Sequence, residues 1–375
     1  MGNPIFARAA GVILLTLAGC DVRVRPIWAP PDSGSTSLYC PDGEQDTVGG
    51  WAGPQDPAGD AGSVAVSALP TTTGGGAAAP VTVDAADGNA IDQFKTYADR
   101  KSGAAVIHVR GMISFAGFGD SQVRVSSNTT IVGMDDHSGF TGGGLDLVGN
   151  SNIIVKNLVI ARAVGTDAIS IQGPSSTNIW IDHCDLSSEQ HPDGTSYDGL
   201  VDITHAADAI TVSWTVFHDH RDTSIVGHSD SNGSEDTGHL HVTYDHDVFR
   251  NVDAGPRIRF GTVHVYNVFF DHVTLYGVAS TMGAAVLIEK NYFQAVTAGG
   301  QDPNDGPVTT DLKDSQLPGF VSLTQNTLDS TSAMYHITTQ PVDLTPPYKY
   351  AADTAPTARA VVERCAGPRP VPGAI

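Results

Sequence analysis

The sequence predicts an all-β protein, a right-handed single-stranded parallel β-helix with a short N-terminal capping helix. Three observations carry that expectation. Seven eight-residue segments share one rhythm: IIVKNLVI, IWIDHCDL, ITVSWTVF, VTYDHDVF, VHVYNVFF, VLIEKNYF and VSLTQNTL, ending at Ile160, Leu186, Phe217, Phe249, Phe270, Phe293 and Leu328. Their ends are spaced by roughly 21 to 35 residues, the range of solenoid repeats. Gly (41) and Pro (22) are plentiful while charged residues make up only 16%, the composition of a turn-rich β protein.

Each segment alternates with period two, as a strand does. Five places before each end stands Val155, Ile181, Val212, Tyr244, Val265, Ile288 or Leu323. Two places before the end stand Leu158, Cys184, Thr215, Asp247, Val268, Asn291 and Asn326. Identical rungs laid side by side put like residues above like, and the uneven gaps between them leave as loops. A sandwich would need hairpins, yet no Asn-Gly or Asp-Gly pair joins neighbouring segments at two-residue spacing.

From the N-terminus, residues 1–19 read as an export signal. Arg8 supplies positive charge, Ala9 to Ala18 is an apolar run too short to span a bilayer, and Leu17-Ala18-Gly19-Cys20 resembles a bacterial lipoprotein box. That pattern implies a protein exported to the bacterial cell envelope and anchored by lipid on Cys20, or else secreted. Residues 20–80, rich in Pro, Gly and Ala, read as a flexible tether in which Trp51 and Val64 to Leu69 can pack locally. Ile91, Phe94 and Tyr97/Ala98 recur at helical spacing, so a helix is expected over 89–98, followed by a strand over 105–109 that Gly111 ends. The β-helix is assigned to 81–340 and a Pro-rich tail to 341–375. In an oxidising compartment Cys40 and Cys365 can pair, while Cys184 reads as a buried thiol.

The formal charge of −21 and pI of about 4.7 argue against nucleic acid and anionic membranes as partners. An acidic protein that handles an acidic polymer needs a cation between them. The densest charged and His-rich stretch runs from Tyr197 to Phe270. His218, His220, His228, His239, His241, His246 and His264 suggest zinc, but no third ligand follows at a familiar spacing.

Trp180-Ile181-Asp182-His183, Asp198 to Ile203, Val226-Gly227-His228-Ser229-Asp230 and Pro256-Arg257-Ile258-Arg259-Phe260-Gly261 together resemble the motifs of polysaccharide lyase family 1, which contains the pectate lyases. The resemblance covers about residues 82 to 330. It implies a Ca²⁺ site at Asp167, Asp198 and Asp202, with Gly165 where some relatives carry a fourth acidic ligand. Carboxylates on neighbouring coils with no nearby cation in the sequence suit a hard divalent ion; the bland alternative is turn aspartates bonding backbone amides.

The implied activity is β-elimination on polygalacturonate (pectin), with an arginine base and cations gripping the substrate carboxylates. The chain departs from that pattern twice. Ala254 stands where the family's base arginine falls, and Asp222 stands at the substrate lysine, with Arg221 just before it. Arg259 matches its carboxylate-binding position. The candidate catalytic residues are therefore Arg257, Arg259 and Arg221, and the substrate-binding ones Arg259, Arg221 and Arg250. Three outcomes stay open, the first two being a monomeric calcium-dependent lyase using a substitute cation and a binder of acidic polysaccharide that no longer cleaves. A purely structural β-helix surface protein is the third.

Overall fold

Ten strands stack in one all-parallel sheet, from Pro80–Asp84 and Ala105–Arg110 through Ile153–Lys156 and His241–Asp245 to Phe320–Thr324. A second sheet runs from Met112–Ser114 through Val159–Ala161, Val216–Asp222 and Val248–Ala254. A third runs from Gln122–Arg124 through Ile169–Gln172, Val201–Thr204, Ser224–Val226 and Arg257–Arg259. The long strand Phe269–Thr281 belongs to both and joins them. The chain visits the three sheets in turn, coil after coil, which is the expected parallel β-helix. The computed structural model describes residues 49–53, 71–189, 196–297 and 304–370. The leader, Cys20 and Cys40 lie outside them.

The structure corrects the seven segments in one respect: none is a single strand. IIVKNLVI divides into Ile153–Lys156 and Val159–Ala161, and the other six divide in the same way between the first and second sheets. The residue at each break has positive φ: Asn157, His183, Trp214, His246, Asn267, Lys290 and Gln325, between 48° and 59°. One left-handed residue turns an extended chain sharply without lengthening it. The in/out alternation shifts by one place at the corner: Val155 and Ile160, five residues apart, both face the core.

Beyond each corner the expected columns form. Phe217, Phe249, Phe270 and Phe293 stack inside the coil at centroid separations of 4.5, 5.2 and 4.8 Å, with planes within 12°. Such pairs add about 0.5–1.5 kcal/mol each beyond their burial. The helix Ala90–Ala98 caps the open end, Phe94 meeting Phe140 at 4.6 Å. Its buried stripe is Ala90, Phe94 and Ala98; Tyr97, expected to face inward, is 38% exposed.

Both flanking segments are built onto the coils. Within the segment expected to be a tether, Gly50–Ala52 forms a 3₁₀ turn whose amides donate from Trp51 to Thr243 Oγ1 (3.1 Å) and from Ala52 to Thr211 Oγ1 (3.0 Å). The C-terminal tail carries an unexpected helix, Ala355–Cys365, which packs Val361, Val362 and Cys365 against Trp214, Val248 and Phe269. The corner residues hold this tail. Asn157 exchanges hydrogen bonds with Arg369 (2.6 and 2.9 Å), Asn267 with Asp353 (2.8 and 3.0 Å), and Lys290 donates to the Ala352 carbonyl (2.8 Å). Cys365 is disulfide-bonded and Cys184 is a buried free thiol.

The column two residues before each segment end forms a ladder. Asn291 and Asn326 accept from the backbone amides of Val268 (2.8 Å) and Asn291 (2.9 Å), and donate to the carbonyls of Val265 (2.9 Å) and Ile288 (2.7 Å). Asp247 stands in the same ladder. Its Oδ1 accepts from Thr215 (2.8 Å), but its buried Oδ2 has no partner. Burial pushes this carboxyl well above its usual range, with Asp245 and Asp182 adding to the effect. A protonated Asp247 can donate as asparagine does. Because the folded state holds the proton more tightly, this group favours folding most below the unfolded pKa near 4, and the contribution falls by about 1.4 kcal/mol per pH unit above it until the folded pKa is reached. Asp247→Asn should therefore raise the melting temperature at pH 8 and change it little at pH 4. Calorimetric scans at both values check this, and an equal shift at both would contradict it.

Candidate metal centre and cationic wall

Asp167 and Asp198 lie in the turns that enter the strands Ile169–Gln172 and Val201–Thr204, while Asp202 lies within the latter. These strands are neighbours in the third sheet, with Ser170 beside Asp202. Stacking thus brings together residues 31 to 35 positions apart in the sequence. One carboxylate oxygen from each of the three lies within 4.8 Å of the others. Asp167 and Asp202 are buried and Asp198 is exposed, so the cluster opens to solvent on one side.

Each buried carboxylate is aimed by the backbone. Asp167 accepts from Ser170 Oγ (2.6 Å) and from the Gly199 amide (3.1 Å), and Gln122 fixes this unit by donating to Ser170 Oγ (2.8 Å) and to the Asp167 carbonyl (2.9 Å). Asp202 accepts from the Ile225 amide (3.1 Å). Gly199 makes room for it, since a Cβ there would sit 2.2 Å from Asp202 Oδ1.

Burial, with Asp198 adding and the two hydrogen bonds opposing, pushes Asp167 up to about 6; burial and Asp167 push Asp202 well above its usual range. Among the described residues no lysine or arginine forms an ion pair with any of the three. Three convergent carboxylates without a paired cation suit a divalent ion such as Ca²⁺, even though Asp167 and Asp202 each also accept one backbone amide.

The arginines are distributed unequally. Arg257 stands in the column of Asp202, two coils on (Asp202, Ile225, Arg257), about 10 Å away at the usual strand spacing. Its guanidinium forms a two-pronged pair with Asp314 (2.8 and 2.9 Å). Burial works against its charge, yet that pair outweighs it and the pKa is raised. Arg259 donates to Asp230 (2.9 Å) and to the Gly227 carbonyl (3.0 Å), and burial together with Arg257 lowers its pKa.

Arg221 is 56% exposed beside Asp222, its Nε 3.4 Å from that carboxylate. Burial of its inner side, with Asp253 adding, raises the pKa of Asp222 despite Arg221. Arg250 is not brought to the cluster. It lies four residues before Ala254 on its strand, pairs with Asp271 (2.8 Å) and Glu363 (3.6 Å), and braces the C-terminal helix. Ala254 is 1% exposed, packed with Tyr276, Ala279 and Leu312.

Four of the histidines that suggested zinc are spent on carboxylates: His218 on Asp185 and Asp219, His241 on Asp208 (2.7 Å), His246 on Asp245 (2.6 Å) and His264 on Glu289 (3.1 Å). Burial opposes the charge of His218, but its bonds to Asp185 and Asp219 outweigh it and carry the pKa up to about 10. The sequence reading missed Gln122, Ser170, Asp230 and Asp314. Asp230 lay inside a quoted motif, whereas the other three carry no local signal.

With this geometry in hand, the comparisons with known proteins are specific. The profile of the family described as pectate lyase matches residues 48–368. The chain belongs to the pectate lyase family. A probable pectate lyase A of Neosartorya fischeri is 46% identical over 191 residues, covering 50% of the chain and 58% of that protein; pectate lyase A of Aspergillus niger is 41% identical over 206 residues, covering 54% and 62%. The chain therefore matches only about six tenths of the length of these curated pectate lyases. Among solved structures, a pectate lyase from Bacillus sp. N165 in complex with trigalacturonate superimposes with a TM-score of 0.69 at 29% identity, covering 86% of the chain and 98% of that protein.

A divalent ion must displace the proton held by Asp167, so affinity should rise with pH through about 6 and weaken by up to roughly tenfold per unit below it. Calcium titrations at pH 5, 6 and 7.5 test this, and a flat affinity would contradict it. Gly199→Ala pushes the Asp202 carboxylate aside without touching the core. It should weaken calcium binding by roughly 10–100-fold while leaving the melting temperature of the metal-free protein nearly unchanged.

Proposed function

We propose that this chain acts on polygalacturonate, engaging it through Ca²⁺ held by Asp167, Asp198 and Asp202 and cleaving it by β-elimination. The observation that carries this reading is the uncompensated carboxylate cluster with a guanidinium pair standing farther along the same sheet. When bound, the cation offsets repulsion between enzyme and uronate carboxylates and acidifies the C5 proton beside the substrate carboxyl. Arg257, with a raised pKa and a two-pronged geometry, suits a carboxylate-binding role. Arg259, whose charge burial and Arg257 oppose, is the better candidate for the base: in its neutral guanidine form it would take the C5 proton while that bonding pair becomes the C4–C5 double bond and the C4 oxygen leaves, protonated by water. Arg221 lines the rim beside Asp222.

The substrate class is supported by family membership and by the trigalacturonate complex of the Bacillus relative. Export follows from the leader-like first twenty residues, with lipid attachment at Cys20 as the finer proposal. A second reading, a calcium-dependent glycan binder without turnover, rests on the sequence resemblance, which puts the family's base at the position of buried Ala254.

The two readings separate in one assay. Cleavage leaves a C4–C5 double bond whose ultraviolet absorbance rises on polygalacturonate with calcium, whereas binding alone leaves absorbance flat. Asp198→Ala should abolish both signals. Arg259→Lys should lower kcat by roughly 10²–10⁴-fold with binding retained, the usual range for losing a positioned base; unchanged turnover would remove Arg259 from that role.

A further inference from the structure

Residues 311–317 connect the strand Gly306–Thr309 to the strand Phe320–Thr324 and form a strap across the arginine wall. Three anchors hold it. Leu312, 4% exposed, packs into the apolar pocket made by Ala254, Tyr276 and Ala279. Asp314 takes both prongs of Arg257, and Ser315 Oγ accepts a further bond from Arg257 Nη2 (3.0 Å). Asp230, already paired with Arg259, accepts from the Gln316 amide (2.7 Å) and lies 3.5 Å from Ser315 Oγ.

The first and third anchors hold the strap without Asp314. The second is different in kind: the Asp314 side chain is 70% exposed, whereas that of Arg257 is 14% exposed. A planar carboxylate thus sits on the solvent side of a recessed guanidinium, in the geometry that an incoming carboxylate would need.

We propose that Asp314 is a built-in carboxylate surrogate, occupying the fork of Arg257 until a uronate carboxylate displaces it, so that the strap tunes affinity for acidic sugar. The inference rests on the functional reading above. An ion pair with so exposed a partner is weak and salt-screened, so exchange for a substrate carboxylate anchored elsewhere by a cation is feasible. The alanine at 254 belongs to the same device. A long side chain there would fill the pocket that Leu312 uses, and the strap could not lie down.

The test is calorimetric binding of trigalacturonate with calcium to the full chain and to Asp314→Asn, with and without Arg257→Gln. The expected result is about two- to fivefold tighter binding by Asp314→Asn, the range set by relief of an exposed ion pair. No gain should appear in the Arg257→Gln background, nor for the methyl ester of the same trisaccharide. If both the parent and Asp314→Asn bind trigalacturonate equally, or the variant binds more weakly, the strap proposal is overturned and the functional reading stands. If neither binds it with calcium present, the functional reading falls and the strap proposal falls with it. An unchanged melting temperature of Asp314→Asn confirms that the other two anchors keep the strap in place.

Discussion

Everything in this molecule depends on parallel strands stacking in register through a corner that is repeated in each coil. The corner is a single residue in left-handed conformation, unfavourable by ~1 kcal/mol or more for a residue with a Cβ. It persists because its backbone amide donates to the next coil, as from Asn157 to the Asp182 carbonyl and from Trp214 to that of Asp245. Once corners align, a residue's neighbours are set by its place in the coil rather than by sequence distance. The phenylalanine stack, the asparagine ladder and the carboxylate cluster are three outcomes of that one constraint.

The same constraint concentrates charge. Stacking acidic coils would build repulsion along every column, and the chain relieves most of it with histidine and arginine in adjacent coils or corners. His218 between Asp185 and Asp219, and Arg250 between Asp271 and Glu363, are examples. The Asp167, Asp198 and Asp202 cluster is left without such relief. Two of its three carboxyls are buried and pushed toward protonation, an arrangement that destabilises the metal-free fold and favours a bound cation. Buried polar groups under this kind of strain mark functional sites more often than structural ones.

The arginine wall is divided between two acidic partners. With alanine at 254, the corner above Asp222 is small and apolar, and Leu312 closes over it. Arg257 then finds its counter-charge in the strap that Leu312 anchors, and Arg259 finds its own in Asp230, which the same strap engages. Cations that sequence motifs place together are thus divided between two acidic partners, and their proton affinities move in opposite directions.

The repeat and its buried columns were legible in the sequence because side-chain alternation and segment spacing are written in residue types: Ile160, Leu186 and Phe217 are spaced as they stack. The clustering of Asp167, Asp198 and Asp202 was legible too, through the family resemblance, which places Asp167 one coil before the motif that holds the other two. The corners were not, because a one-place shift of alternation inside an eight-residue segment is masked by apolar residues on both sides of it; Asn157 hints at a left-handed residue, whereas Trp214 and Lys290 do not. Tertiary structure alone decided which arginine faces the cluster. Arg250 and Arg257 are equally cationic in the sequence, but a chain that turns between them sends one under the C-terminal helix and the other onto the column of Asp202. Asp314, about 60 residues beyond either, meets Arg257 only because a loop folds back over the coil, a contact that no local pattern encodes.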